Sequence, residues 1–118
     1  MEPVASQIDR EYLSEISGGD VEFEQDLVQT FLDVAPGLID SFRSASGASD
    51  AQGARHAAHT LKGSSRSIGA SNFAQVCEQA EKAAREEDLE ACRTLVASIE
   101  SAFAYLKADA ENLVAQAA

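Results

Sequence analysis

Apolar residues in this chain return every three or four positions from Ile8 to Leu113, and nowhere do β-branched residues alternate over the length of a strand. A spacing near 3.6 gathers side chains on one side of a helix and scatters them over both faces of a strand, so the chain reads as all-α. The stops are local as well. A short first helix runs from about Ser6, a capping residue, through Ile8, Tyr12, Leu13 and Ile16, and ends at Gly18-Gly19. Asp20 caps a second helix with Phe23, Leu27, Phe31, Leu38 and Phe42 on its core stripe. Pro36 should bend it, because proline has no backbone donor and its ring crowds the carbonyl of Leu32. The stretch SASGASD, Ser44 to Asp50, reads as a loop whose last residue caps a third helix ending near Ile68-Gly69. Ser71 caps a fourth, with Phe73, Val76, Cys77, Ala80 and Ala84 facing inward. Asp88 opens the last, whose long apolar face carries Leu89, Cys92, Leu95, Val96, Ile99, Phe103, Leu106 and Leu113.

Short connections between amphipathic helices make neighbours antiparallel. The expected architecture is an antiparallel up-and-down four-helix bundle with an additional short N-terminal helix, and residues 1–118 are enough for a single domain. A net charge of -11 opposes the phosphate backbones of DNA and RNA, so nucleic acid is not expected as a partner. No window approaches the roughly 18 apolar residues of a membrane span. The N-terminus, MEPVASQIDREY, lacks the basic start and apolar core of a secretory signal, which points to the cytoplasm. Cys77 and Cys92 have no C-x-x-C partner and occupy apolar positions, as small core residues do.

One segment stands apart. His56-Ala57-Ala58-His59-Thr60-Leu61-Lys62-Gly63-Ser64-Ser65 places two histidines, a lysine and a glycine within one predicted helix. At about 100° per residue, Ala54, Ala57, Leu61 and Ile68 fall opposite His59, whereas Arg55, Lys62, Gly63 and Arg66 share its side. His59 is therefore expected on a solvated ridge among cations. Glycine inside a helix costs about 1 kcal/mol relative to alanine, so Gly63 asks for a steric reason such as the close approach of a partner. Neutral imidazole is a competent nucleophile near pH 7, and a lysine one turn away is a mobile charge for a transferred phosphoryl group. Ser64 and Ser65 fall on the side and back of the helix, where small residues allow close packing. A metal site built on His56 and His59 is disfavoured, because no carboxylate or cysteine lies at turn spacing and the neighbouring cations would repel it.

The string AHTLKGSSRSIGA, with His59, Leu61, Lys62, Gly63, Ser64 and Gly69-Ala70, closely resembles the signature of histidine-containing phosphotransfer (HPt) domains. Ile8-Asp9, the turn Gly18 to Asp20, Phe31-Leu32 before Pro36 and a cysteine-bearing helix after the motif agree in order, so the resemblance covers nearly the whole chain. It implies a phosphorelay carrier in which His59 takes a phosphoryl group from the aspartyl phosphate of a response-regulator receiver domain and passes it to another. Lys62 then matches the neighbouring cation and Gly63 the residue that leaves room for the receiver, with Arg55, His56 and Arg66 around them as docking residues. An upstream sensor histidine kinase, Mg²⁺ in the receiver, no cofactor in this chain and a monomeric state are further implications. Where some members place a glutamine on the next helix, this chain has Glu81, with Gln79, Lys82 and Arg85 close by. No G-x-x-x-x-G-K-[ST] loop is present, so kinase activity from ATP is not expected. Two other readings compete: a non-catalytic adaptor that binds an acidic partner surface, and the histidine domain of a larger chemotaxis-type or hybrid kinase.

Overall fold

The computed structural model describes residues 7–115. Its elements are α1 (Arg10–Ser17), α2 (Val21–Gly47), α3 (Ala51–Ser67), α4 (Ser71–Arg85) and α5 (Leu89–Ala115). Four of the five begin in the same way. The side chains of Asp9, Asp20, Asp50 and Asp88 accept the backbone N–H of Tyr12, Phe23, Gly53 and Ala91 at 2.9 to 3.1 Å, each satisfying a donor that has no partner within its helix. The exception is α4. Its N-cap is Ala70, with no side-chain cap bond, and Ser71 is already helical, contrary to the capping role expected for that serine.

Neighbour contacts close a ring: α2 packs on α3, α3 on α4, α4 on α5 and α5 on α2, with α1 laid against α2. Connections this short leave each helix antiparallel to the next, so this is the four-helix bundle with a short N-terminal helix that the periodicity predicts. The buried stripe of α2 is Val28, Phe31, Ala35, Ile39 and Phe42, at spacings of three and four. Phe31 of α2, Phe73 of α4 and Phe103 of α5 meet with ring centroids 5.9 to 6.2 Å apart, in tilted or edge-on pairs that suit aromatic quadrupoles. On α3 the inward face is small, Ala54, Ala57 and Ala58 around a fully buried Leu61, and the Ser65 hydroxyl turns back to the carbonyl of Lys62 at 2.9 Å. Cys77 and Cys92 are free and buried in the core; burial pushes the Cys77 thiol up to about 12. No helix of the described residues is long and apolar enough to cross a membrane.

The periodicity placed some residues wrongly. Helix α1 begins at Arg10 behind Asp9, so Ile8 is buried ahead of the helix; Ser6, the expected cap, lies outside the described residues. Tyr12, Ile16 and Phe23 are 37%, 44% and 45% exposed, because the bundle covers only Leu13 of α1 and takes up the α2 stripe from Val28 onward. The expected loop from Ser44 is helical as far as Gly47. Ala45 and Ser46 are buried against the bundle, and that packing extends a helix which the small polar residues would not extend alone. Through Pro36 the helix continues without interruption.

The turn between α3 and α4 is tied to the start of α1. Asp9 donates its backbone N–H to the Gly69 carbonyl at 3.0 Å. Gly69 has φ +73°, and a Cβ there would stand 3.1 Å from both the Asp9 carbonyl and a ring carbon of Tyr12. Gly69→Ala is therefore expected to destabilise the fold by about 1 to 3 kcal/mol. Gly63→Ala, in regular helix with open space around it, should stabilise by up to about 1 kcal/mol. Urea unfolding followed by circular dichroism checks both signs; a neutral Gly69→Ala would contradict the tie.

Candidate functional site

Leu61 buried on one side of α3 fixes the rotation of the helix and turns His59 to the other. The His59 side chain is 65% exposed, on the predicted ridge. Gly63 is one turn on, and a side chain added there would meet nothing within 4 Å of its Cβ. Arg55 and His56 line a recess of about 300 Å³ with Gln52, His59 and Glu81. Arg66 is exposed on the same helix but is not part of that recess.

Lys62 differs from the mobile, solvent-facing charge that its position suggests. Its side chain is only 14% exposed, and its ammonium lies between two carboxylates of α4, 2.8 Å from Glu78 Oε2 and 2.5 Å from Glu81 Oε1. The other Glu81 oxygen, Oε2, is 3.0 Å from His59 Nδ1. Glu81 is thus a buried carboxylate with a partner on each oxygen, and the helix pair presents a chain of contacts running Glu78, Lys62, Glu81, His59. Burial alone would raise the Glu81 carboxyl, but the hydrogen bonds from Lys62 and His59 outweigh it and hold it below the ordinary carboxylate value. The hydrogen bond from Lys62 likewise lowers Glu78, and Glu78 then Glu81 raise Lys62.

With Glu81 ionised, this contact favours one tautomer of the neutral ring. An ionised carboxylate only accepts, so in the neutral imidazole Nδ1 carries the hydrogen and donates it to Glu81. Nε2 is left with its lone pair, on a ring that projects into solvent. A cation forming on that ring would find the Glu81 carboxylate already beside it.

Glu81 was visible in the sequence as a departure from a pattern, but Glu78 was not singled out. Both had a signal in the register of the hairpin. His59 and Glu81 are 22 residues apart and Lys62 and Glu78 are 16 apart, and both pairs are centred on Ala70, the N-cap of α4. In an antiparallel helix pair joined by a short turn, residues equidistant from the turn lie side by side. Among the described residues no group of three or more His, Cys, Asp or Glu side chains could hold a metal ion.

The shifts carry a pH dependence. Lowered carboxylates stabilise the fold above their unfolded value of 4.5 and lose that contribution as pH falls through their lower folded values; raised Lys62 contributes fully below 10.5 and loses it as pH rises through its higher folded value. Wild type should therefore exceed Glu81→Gln in stability across neutral pH, with the gap closing on acidification below 4.5. Urea midpoints measured against pH test this, and a gap that is constant into acid would contradict the ionised carboxylate.

The Hpt domain family model matches residues 26–116, a stretch that holds most of α2 and all of α3, α4 and α5. No curated protein matches the sequence. Among solved structures the chain is similar to histidine-containing phosphotransfer protein B (HptB) from Pseudomonas aeruginosa PAO1, with a TM-score of 0.82 and 28% sequence identity over 93% of this chain and 96% of that one. With a matching helical order, a family model spanning most of its length and an exposed histidine at the centre of the motif, the chain belongs to the Hpt family of histidine phosphotransfer domains, the carriers of phosphorelays.

Proposed function

We propose that His59 Nε2 is the atom that carries the phosphoryl group, taking it from an aspartyl phosphate on a receiver domain and returning it to the aspartate of another. The Nε2 lone pair attacks phosphorus in line with the P–O bond to the aspartate; the N–P bond forms as that bond breaks, and its electrons leave with the aspartate carboxylate. The ring becomes a phosphorylated imidazolium that keeps its proton on Nδ1. Transfer onward is the same step reversed on a second receiver.

The single observation that supports this reading is the contact of 3.0 Å between His59 Nδ1 and the buried Glu81 carboxylate, on a side chain otherwise open to solvent. It holds the ring in the tautomer that frees Nε2 and puts a fixed negative charge beside the cation that forms, with no reorganisation at the moment of transfer. Gly63 leaves the approach clear. Leu27, Phe31 and Val34 of α2, with Ser64, Ser67 and Ile68, line a groove between α2 and α3, with Val34 47% exposed, a surface on which the partner can seat. We further infer that Mg²⁺ belongs to the receiver, since Glu78 and Glu81 are engaged by Lys62 and His59, and that loading comes from a receiver and not from ATP.

His59→Gln should abolish phosphoryl acceptance and leave the helical circular dichroism unchanged, since the side chain is exposed. The label on wild type should be acid-labile and base-stable. Lys62→Ala should slow transfer without abolishing it, because Glu81 keeps its bond to His59 while losing one cation. Gly63→Gln should lower the transfer rate by about tenfold or more, equivalent to about 1.4 kcal/mol, through a clash with the docked receiver. Radiolabel transfer from a panel of phosphorylated receivers measures all three; undiminished labelling of His59→Gln would overturn the assignment.

A further inference from the structure

The charges of this chain are sorted by helix. Its total is -11, yet α3 and α4 carry Arg55, Lys62, Arg66, Lys82 and Arg85 against only Glu78 and Glu81, so the hairpin that bears His59 is net positive. Both of those carboxylates are engaged by Lys62, which leaves the other four cations unanswered. Arg55, Arg66, Lys82 and Arg85 are exposed, and none forms an ion pair with any described residue; Arg66 acts on Glu78 only from a distance. Away from the hairpin the pattern differs. Of the four cations there, Arg43 is paired with Asp40 and Glu100, Arg10 with Asp109, and Arg93 donates to the Ser49 hydroxyl, which leaves one, Lys107, exposed and without an ion pair to a described residue. On α4, Glu78, Glu81, Lys82 and Arg85 recur at three and four, so Lys82 and Arg85 flank the stripe that faces His59, as Arg55 and Arg66 do on α3. The nearest run of exposed carboxylates, Glu86-Glu87-Asp88, is in the turn past the end of α4.

We infer that Lys82 and Arg85 of α4 complete, with Arg55 and Arg66 of α3, a basic rim that steers an acidic protein surface bearing an acyl phosphate onto His59. The inference rests on the proposed function and deepens it by naming the charge of the partner's face and the half of the rim contributed by α4. Unpaired cations on one face of an acidic body attract an anionic partner to that face, and the remaining surface repels it. Such steering raises association rates by about 10 to 1,000-fold and is screened by salt within about 8 Å at physiological ionic strength. It acts on encounter. The chemical step at His59 is left as it was.

The test is rapid-quench transfer from a receiver domain loaded with acetyl phosphate, comparing wild type with Lys82→Ser/Arg85→Ser. Both side chains are exposed and unpaired, and unchanged circular dichroism confirms the fold. At low salt the second-order rate constant of the double variant should fall about tenfold and depend less steeply on salt. Its rate at saturating receiver should equal that of wild type, and the two curves should converge in high salt. Lys107→Ser, an exposed cation of α5 outside the rim, should leave the rate unaltered. Coinciding salt dependences, an equal loss from Lys107→Ser, or a deficit that persists at high salt or at saturation would each overturn the rim. A wild-type chain that no phosphorylated receiver labels would instead overturn the function on which the inference rests.

Discussion

Glu81 is the group on which the site depends, because it is a charge that the core would not accept without both of its partners. Taking a carboxylate out of water costs several kcal/mol, and the cost is offset only where each oxygen is answered. Here Lys62 answers one and His59 the other. Both partners come from α3 while the carboxylate comes from α4, so the pairing also fixes the register of the hairpin. That register in turn needs the turn at residues 68–70, where Gly69 takes a backbone conformation that other residues resist and receives the backbone of Asp9. The short N-terminal helix is therefore coupled to the site through a glycine and one hydrogen bond, although none of its side chains lines the recess beside His59.

What could be read from the sequence follows from what kind of information each feature carries. Caps are local: an aspartate with a free N–H three residues on is decided within one turn, and Asp20, Asp50 and Asp88 were legible for that reason. The face of His59 was legible because Leu61 and three alanines on the same helix determine the rotation of that helix. Features decided by another element were not. Phe23 has a core residue's chemistry and periodicity but lies one turn beyond what the bundle covers, and Ser46 has a loop residue's chemistry but is fully buried. Lys62 is the most telling case. Its place on the ridge follows from its own helix, while its burial follows from Glu78 and Glu81, 16 and 19 positions further along the chain. A rotation angle says which way a stem leaves the backbone and is silent about what meets its end.

A carrier has a requirement that an enzyme for hydrolysis does not. It has to take a phosphoryl group from one aspartate and release it to another, so the phosphohistidine must be neither much more nor much less stable than the acyl phosphates on either side. An imidazole among free cations would hold the group too well. At the described site Lys62 is engaged by two carboxylates and the negative charge nearest the ring is directed at Nδ1, where in the proposed reaction it would stabilise the cationic ring and repel a phosphate carried on it. The two effects oppose each other. Arg55, Arg66, Lys82 and Arg85 are exposed and without an ion pair among the described residues, and in the proposed rim they face an approaching protein, Arg55 from the recess that it shares with His59. With Lys62 held by carboxylates, attraction of the partner falls to the unpaired cations of the proposed rim, and the carrier role then divides its two tasks between different side chains of one helical hairpin.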